Sequence, residues 1–133
     1  MTTRMLEVQQ SVYKQVHSNP IFTEKVNGLY DFVPESTKLP YSTFGEIQSL
    51  PLDTKTSNGE RIVITIDVWS ESKGRKEVVE ILSEIEKSLK EEIELETAMV
   101  ISQKITGRKV WEENYGLFTG QIDIEVKIMW EEI

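Results

Sequence analysis

The last strand-like segment of the chain is the feature that most restricts its fold. Between residues 121 and 128 apolar and polar side chains alternate strictly, and the same period continues to Trp130 with Met129 on the opposite face. The apolar set is Ile122, Ile124, Val126, Ile128 and Trp130. The opposite set is Gln121, Asp123, Glu125, Lys127 and Met129. This period of two predicts a β-strand with only one face in the core. The chain must therefore build a sheet and cover one side of it.

Three further segments have the character of strands. From Arg61 to Trp69 the residues Ile62, Ile64, Ile66 and Val68 fall on one face. The β-formers of residues 40–47 include Gly45, which indicates a bulge or a close backbone approach. Glu94 to Thr106 is predicted as the third strand, and the segment at residues 121–130 is then the fourth. The Leu29–Pro34 segment is expected to be extended.

Two long helices alternate with these strands. The first has an apolar stripe at Met5, Val8, Val12 and Val16, and the second at Val78, Ile81, Leu82, Ile85 and Leu89. Asn19-Pro20 predicts the start of a short helix that ends at Gly28. We therefore expect a single α+β domain over residues 1–133. Its mostly antiparallel four-stranded sheet would carry two main helices on one face.

The charge and the cysteine count exclude several classes of function. The chain has 23 acidic and 15 basic residues and a formal net charge of −8. This balance argues against nucleic-acid binding and against docking on an anionic membrane. With no cysteine, disulfides and thiolate metal sites are excluded. No apolar run approaches the length of a membrane span or a signal peptide, so we expect synthesis in a cytoplasm.

No set of side chains has the composition of a catalytic, cofactor or metal site. His17 is the single histidine, and its position suits a polar residue in the last turn of a helix. The glutamates of the second long helix and its end are expected on a solvated face: Glu77, Glu80, Glu84, Glu91 and Glu92. Residues 72–76 form a basic turn before that helix, which is only a weak signal for phosphate. We therefore predict that the protein is not an enzyme and holds no cofactor or metal.

Two polar segments are better candidates for function. Residues 53–60 form one loop, and its expected interface residues are Asp53, Thr54, Lys55, Thr56, Ser57, Asn58 and Gly59. Gly107 to Gly116 is predicted as a second, charged loop that presents Trp111 and Tyr115, residue types that anchor protein interfaces. The residues alone thus indicate a protein-interaction module.

Four motifs, in register over nearly the whole chain, make a more specific comparison possible. They are Tyr30-Asp31-Phe32-Val33-Pro34, Leu39-Pro40-Tyr41-Ser42-Thr43-Phe44-Gly45, Thr65-Ile66-Asp67-Val68-Trp69-Ser70 followed by Lys73-Gly74-Arg75, and Gly120-Gln121-Ile122-Asp123-Ile124. Together they resemble the tail-completion, or tail-to-head joining, family of long-tailed phages. Residues 98–102 of the predicted third strand carry no motif of that family.

The resemblance implies a structural virion protein at the head-proximal end of the tail. Its partners would be the tail tube protein and the head completion (neck) protein, and its copies would form a ring, usually a hexamer. Six copies at −8 each carry about −48, so DNA would pass through the ring without being specifically bound. We expect Asp123 and Glu125, or the outer face of the second long helix, to line this channel. We also expect residues 53–60 to be mobile until docking, and an exposed strand edge to form ring contacts.

Three other interpretations remain open from the sequence. The protein could act as a tail terminator that sets tube length. It could instead be a non-viral interaction adaptor with the same build, or a small hydrolase that uses a carboxylate pair.

Overall fold

The computed structural model describes residues 3–131 as three helices and five strands. The helices are α1 (Met5–His17), α2 (Pro20–Lys25) and α3 (Lys76–Ser88). The strands are β1 (Leu29–Tyr30), β2 (Tyr41–Pro51), β3 (Asn58–Ser70), β4 (Met99–Asn114) and β5 (Leu117–Trp130). The α+β class is thus confirmed.

All five strands join one sheet in the order β1-β2-β3-β5-β4. The pairs among β2, β3, β5 and β4 are antiparallel. Short connections predict this for β2–β3 and β4–β5, whereas β3 and β5 pair across the intervening α3 and β4. The sequence predicted a sheet of four strands, and the structure has a fifth, β1, which pairs parallel with β2 at Ser42 and Thr43. A strand of two residues has no periodicity to read, because one alternation cannot be told from chance.

The core lies between the helices and one face of the sheet. The predicted alternation of β3 and β5 is confirmed. The buried residues are Ile62, Ile64, Ile66 and Val68 of β3, and Ile122, Ile124, Val126, Ile128 and Trp130 of β5. The stripes of α1 and α3 cover them, with Val8, Val12, Val16, Val78, Ile81 and Ile85 fully buried. Helices α1 and α3 lie where their apolar stripes predict them, because each stripe repeats over several turns.

Asn19 begins α2 and also joins it to α3. Its side-chain oxygen accepts hydrogen bonds from the backbone of Ile21 (3.0 Å) and Phe22 (3.4 Å), the predicted capping geometry. Its amide donates to the side chain of Glu84 (3.2 Å), which is only 7% exposed. The expectation that Glu84 lies on a solvated face is therefore wrong. The helix also ends at Lys25 with Val26 extended, so Gly28 is not its cap.

Gly45 sits in a β-bulge, as predicted. The β2–β3 register shifts between Phe44 and Ile47. A Cβ on Gly45 would lie 2.8 Å from Oδ2 of Asp67 and 3.4 Å from Cγ2 of Thr65, so a side chain there would have to displace the Asp67 carboxylate. The bulge thus brings the β2 backbone against β3.

The chain from Glu94 to Gly116 differs most from its prediction. Strand β4 begins at Met99, five residues later than expected, and continues through the predicted loop to Asn114. Only Tyr115 and Gly116 form the turn to β5, with Gly116 at a φ of +81°. Three register shifts interrupt β4 and break its alternation, so the segment does not look like one strand in sequence.

Candidate interaction surfaces

The face of the sheet opposite the helices, which we call the open face, carries most of the side chains of interest. Cross-strand register places Arg61, Val63, Thr65, Asp67 and Trp69 of β3 there, together with the odd-numbered residues of β5. No helix among residues 3–131 packs on this side, because the buried stripes of α1 and α3 face the other one. The open face is therefore a surface on which a partner could lie.

Aromatic side chains occupy one end of the open face. Tyr41, Trp69, Thr119 and Trp111 stand in one row across four strands. Thr119 is 1% exposed between the two tryptophans. The Trp111 indole donates a hydrogen bond to Glu113 (2.5 Å), and Lys109 lies 5.1 Å from its ring centroid. Trp111 is thus a strand residue rather than a loop residue. This row cannot be predicted from the sequence, because the bulges of β4 hide which face of the sheet Trp111 occupies.

The two predicted interface segments lie at opposite ends of the sheet. Residues 52–57 connect β2 to β3 beside Pro51 and Glu60, whereas the Tyr115–Gly116 turn follows the row that contains Trp69. We call these the loop end and the hairpin end. Between them β3 extends over 13 residues, or about 40 Å. Tyr115 is fully exposed at the hairpin end.

The connection at the loop end is a small hydrogen-bonded structure. The Thr54 backbone N–H donates to the carbonyl of Ser57 (2.8 Å), and Asp53 accepts from the backbone of Gly59 (3.1 Å). Asn58 and Gly59 already belong to β3, and a Cβ on Gly59 would lie 2.8 Å from the carbonyl oxygen of Leu52. Of the predicted interface set, residues 53–56 are exposed, and Asn58 and Gly59 are not. Their role, and the mobility expected of the loop, stay predictions.

The expected channel residues Asp123 and Glu125 do not form a bare acidic surface. Glu125 is 5% exposed and bonds Arg61 (2.7 Å), with Lys104 at 3.8 Å. The hydrogen bond from Arg61 lowers the pKa of Glu125 despite its burial. Asp123 accepts a hydrogen bond from Thr65 (2.6 Å). Their assignment to a channel wall stays a prediction, but cations balance the charge on this face.

The glutamates of α3 are likewise held by neighbours. Glu80 pairs with Lys25 at 3.1 Å, and Glu77 accepts a hydrogen bond from Ser70 at 2.6 Å. Arg108 forms a two-point pair with Glu86 at 2.5 and 2.8 Å, and this hydrogen bond lowers the pKa of Glu86. The outer face of α3 is thus a set of ion pairs as well as a solvated surface.

The basic turn before α3 does not form a cationic pocket. The groove beside it has a volume of about 440 Å³ and is lined by three lysines and three glutamates, with Ser72. Its lysines are Lys25, Lys73 and Lys76, and its glutamates are Glu24, Glu77 and Glu80. Equal numbers of the two charges give an approaching phosphate little net attraction.

His17 occupies the position expected of a polar helix residue. Its Nδ1 lies 3.0 Å from the Tyr13 carbonyl oxygen, and the two rings are 4.0 Å apart. Residues 3–131 contain no group of three or more histidine or carboxylate side chains placed to hold a metal. Within the same range none of the helices has the length and apolar composition needed to cross a membrane.

Comparisons with known proteins give one family match and two similar solved structures. The family model described as tail completion protein gp17 matches residues 10–129. No curated protein matches the sequence. A chain from the "Virion of native gene transfer agent (GTA) particle" has a TM-score of 0.85 at 16% identity, covering 92% of this chain and 95% of that one. The gp17 protein of bacteriophage SPP1 has a TM-score of 0.65 at 24% identity, covering 92% and 88%. At these identities the two structures establish the fold.

Proposed function

Because the chain belongs to the family of tail completion protein gp17, we propose that it joins the phage tail to the head. The family consists of structural phage proteins, and the chain is a structural protein of the virion tail. The match over residues 10–129 carries this proposal, because it extends from within α1 to the last residue but one of β5. The resemblance of the four sequence motifs points to the same family.

The finer proposal is a ring of six copies on the axis of the particle. The partners would be the tail tube protein on one side and the head completion (neck) protein on the other, with DNA passing through the middle. The separation of the two predicted interface segments supports this arrangement. Residues 53–57 and the Trp111–Tyr115 segment lie about 40 Å apart at the two ends of β3, so one rigid sheet can present a different surface to each partner.

An add-back experiment tests this function. Purified protein is added to a lysate of a phage that lacks its own copy, and joined particles are counted by electron microscopy. We expect separate heads and finished tails to become joined virions. Tails that are missing or of abnormal length before addition would instead identify a tail terminator, and no response by either component would contradict the proposal.

Variants at each end of the sheet would test which end binds the head and which binds the tail. Lys55→Glu alters the loop end, and Tyr115→Ser alters the hairpin end. Each side chain is exposed, so the fold should be unaffected. If the ends bind different partners, one variant should leave the protein attached to heads only and the other to tails only. Loss of the same attachment in both variants would contradict this assignment.

A further inference from the structure

An acidic recess lies beside the aromatic row of the open face. Tyr41 pairs with Trp69, and two residues farther along the same strands Thr43 pairs with Asp67. Side chains two residues apart on a strand lie on the same face, so the Asp67 carboxylate stands beside this aromatic pair. The bulge of β2 then places Gly45 against Asp67. We call Tyr41, Gly45, Glu46, Asp67 and Trp69 the acidic recess.

One carboxylate oxygen of Asp67 is left without a partner in the recess. Its Oδ1 accepts a hydrogen bond from Gln121 (2.9 Å), whereas Oδ2 has neither a hydrogen bond nor an ion pair within residues 3–131. Oδ2 is also the atom that a Cβ on Gly45 would approach to 2.8 Å. Because Gly45 has no side chain, β2 presents only backbone at this point. The glycine therefore leaves room beside Oδ2 for a group from outside the chain.

The charge around the recess is negative and only partly balanced. Asp67 and Asp123 lie on neighbouring strands of the open face, and Glu46 follows Gly45 in the bulge. The nearest cation of this end is Lys109, whose ammonium lies 5.1 Å from the Trp111 ring centroid. None of these charged groups forms an ion pair within residues 3–131. Burial, with the charges of Asp123 and Glu46, raises the pKa of Asp67, so an added cation would be favoured here.

The same end of the open face contains a buried hydroxyl group that lacks a partner. Thr119 pairs with Trp69 on one side and with Trp111 on the other, and it is 1% exposed. Its Oγ1 has no hydrogen-bond partner within residues 3–131. Buried hydroxyls are normally hydrogen-bonded. A bound group that donates N–H bonds at this end of the face would therefore satisfy an acceptor that the chain itself leaves unpaired.

An arginine side chain combines the properties that these features require. Its guanidinium is planar and positively charged, stacks on aromatic rings, and presents several N–H donors in a fork that matches a carboxylate. A lysine ammonium has the charge but no flat surface to lie on an indole ring. The chain already makes one such stack, because the Arg4 guanidinium lies 4.0 Å from the Trp130 ring centroid.

We propose that the acidic recess receives an arginine side chain of the protein that binds the hairpin end of the sheet. The guanidinium would bond Oδ2 of Asp67 over Gly45 and lie against the ring of Trp69, with Glu46 beside it. This inference rests on the proposed function, since it names the chemistry by which one partner of the joint is held.

Titration of the isotopically labelled protein with N-acetyl-arginine amide, followed by NMR, tests the recess without any partner. The signals of Gly45, Asp67 and the Trp69 indole should shift together and saturate. Asp67→Asn should weaken binding about tenfold or more, because it removes a charge-assisted bond while an amide oxygen still accepts from Gln121. Glu92→Gln, at an exposed position beyond α3, is the matched control and should bind like the natural chain.

Three results of this titration would overturn the proposal. They are the absence of these shifts in the natural chain, equal binding by Asp67→Asn, and an equal response to magnesium chloride, which would identify a simple cation site. N-acetyl-lysine amide should bind more weakly than the arginine probe, and equal binding would overturn the assignment to a guanidinium.

The add-back experiment gives a second readout. The double variant Asp67→Asn and Glu46→Gln should lower the number of joined particles about tenfold or more, and Glu92→Gln should join them normally. Both proteins should keep the natural unfolding midpoint or exceed it. Normal joining by the double variant would refute the arginine contact alone. Failure of the natural chain to join particles would refute the proposed function, and the titration would still decide whether the recess binds a guanidinium.

Discussion

Gly120 is the position where the fold depends most directly on the absence of a side chain. It lies on β5 under α3, and a Cβ there would be 2.4 Å from Cγ1 of Val78 and 3.0 Å from Cδ1 of Leu82. Favourable carbon contacts are about 3.5–4.0 Å, so the new methyl group would overlap Val78 by more than about 1 Å. Val78 is β-branched and fully buried, so it has little freedom to turn away. Gly120→Ala should therefore displace α3 from the sheet.

The cost follows from two opposing contributions. Overpacking a core typically destabilises by about 1–3 kcal/mol, and the size of this overlap favours the upper part of that range. Replacing glycine in a strand recovers about 0.5–1 kcal/mol of chain entropy. The net loss in the free energy of unfolding should be about 2 kcal/mol. For a chain of this length, that corresponds to a melting temperature about 6–10 °C lower.

Urea unfolding followed by circular dichroism would measure this change. Gly107→Ala is the control, because its Cβ would meet only the Asp123 carboxylate at 3.8 Å and should not destabilise the protein. Val78→Ala alone should cost about 2 kcal/mol through its lost methyl groups and the cavity. The double variant should cost about the same as either single one, because the added methyl fills that cavity. Additive costs, or equal stability of the two glycine variants, would refute the close-packing argument.

Two further predictions concern polar groups on the open face. Thr119→Val should stabilise the protein by about 1 kcal/mol in urea unfolding, since the buried Thr119 hydroxyl has no hydrogen-bond partner within residues 3–131. Thr65→Val removes the hydrogen bond to Asp123 and should therefore destabilise the protein. An equal change in the free energy of unfolding for the two valine variants would contradict the difference in hydrogen bonding. Burial, together with the charges of Asp123 and Glu46, raises the pKa of Asp67. The folded state thus binds the proton more tightly, so the natural chain should lose stability relative to Asp67→Asn as pH rises from the ordinary value of about 3.9 through the raised pKa. A pH series of urea curves with a constant difference would exclude this linkage.

The strands and helices that sequence predicted well are those in which one residue pattern continues without interruption. The apolar residues alternate regularly in β3 from Ile62 to Val68 and in β5 from Ile122 to Trp130, and each long helix has a single apolar stripe. One face of each element is buried against the other layer, so the pattern in sequence records the fold directly. These elements are also enough to predict an antiparallel sheet with helices on one side.

Strand β4 shows why the rest could not be predicted. Its register shifts at Val100–Ser102 and Ile105–Gly107 each insert a residue, and each insertion moves the following side chains to the other face. Gly107, Arg108 and Lys109 then look like a loop, although they pair with Asp123, Ile122 and Gln121. The position of Trp111 beside Thr119 and Trp69 depends on these shifts, so the aromatic row needed the structure.

The residue types at the candidate interfaces were predicted from the sequence, but their positions in the fold were not. Trp111 and Tyr115 were selected because of their residue types, and exposure supports that choice only for Tyr115. Phe32 was part of a motif, yet nothing in the sequence shows that its side chain is left outside the core.

The distribution of irregularities in the sheet fits a joint that must be rigid along one direction and adaptable along another. The β3–β5 ladder is unbroken from Asn58 and Trp130 at the loop end to Ser70 and Phe118 at the hairpin end. All the register shifts lie in β2 and β4, the strands on either side of this pair. Bulges bend a strand and increase its twist. In the joint that we propose, the central pair would hold two partners at a fixed distance, while the bulged strands on either side of it bend and twist the sheet.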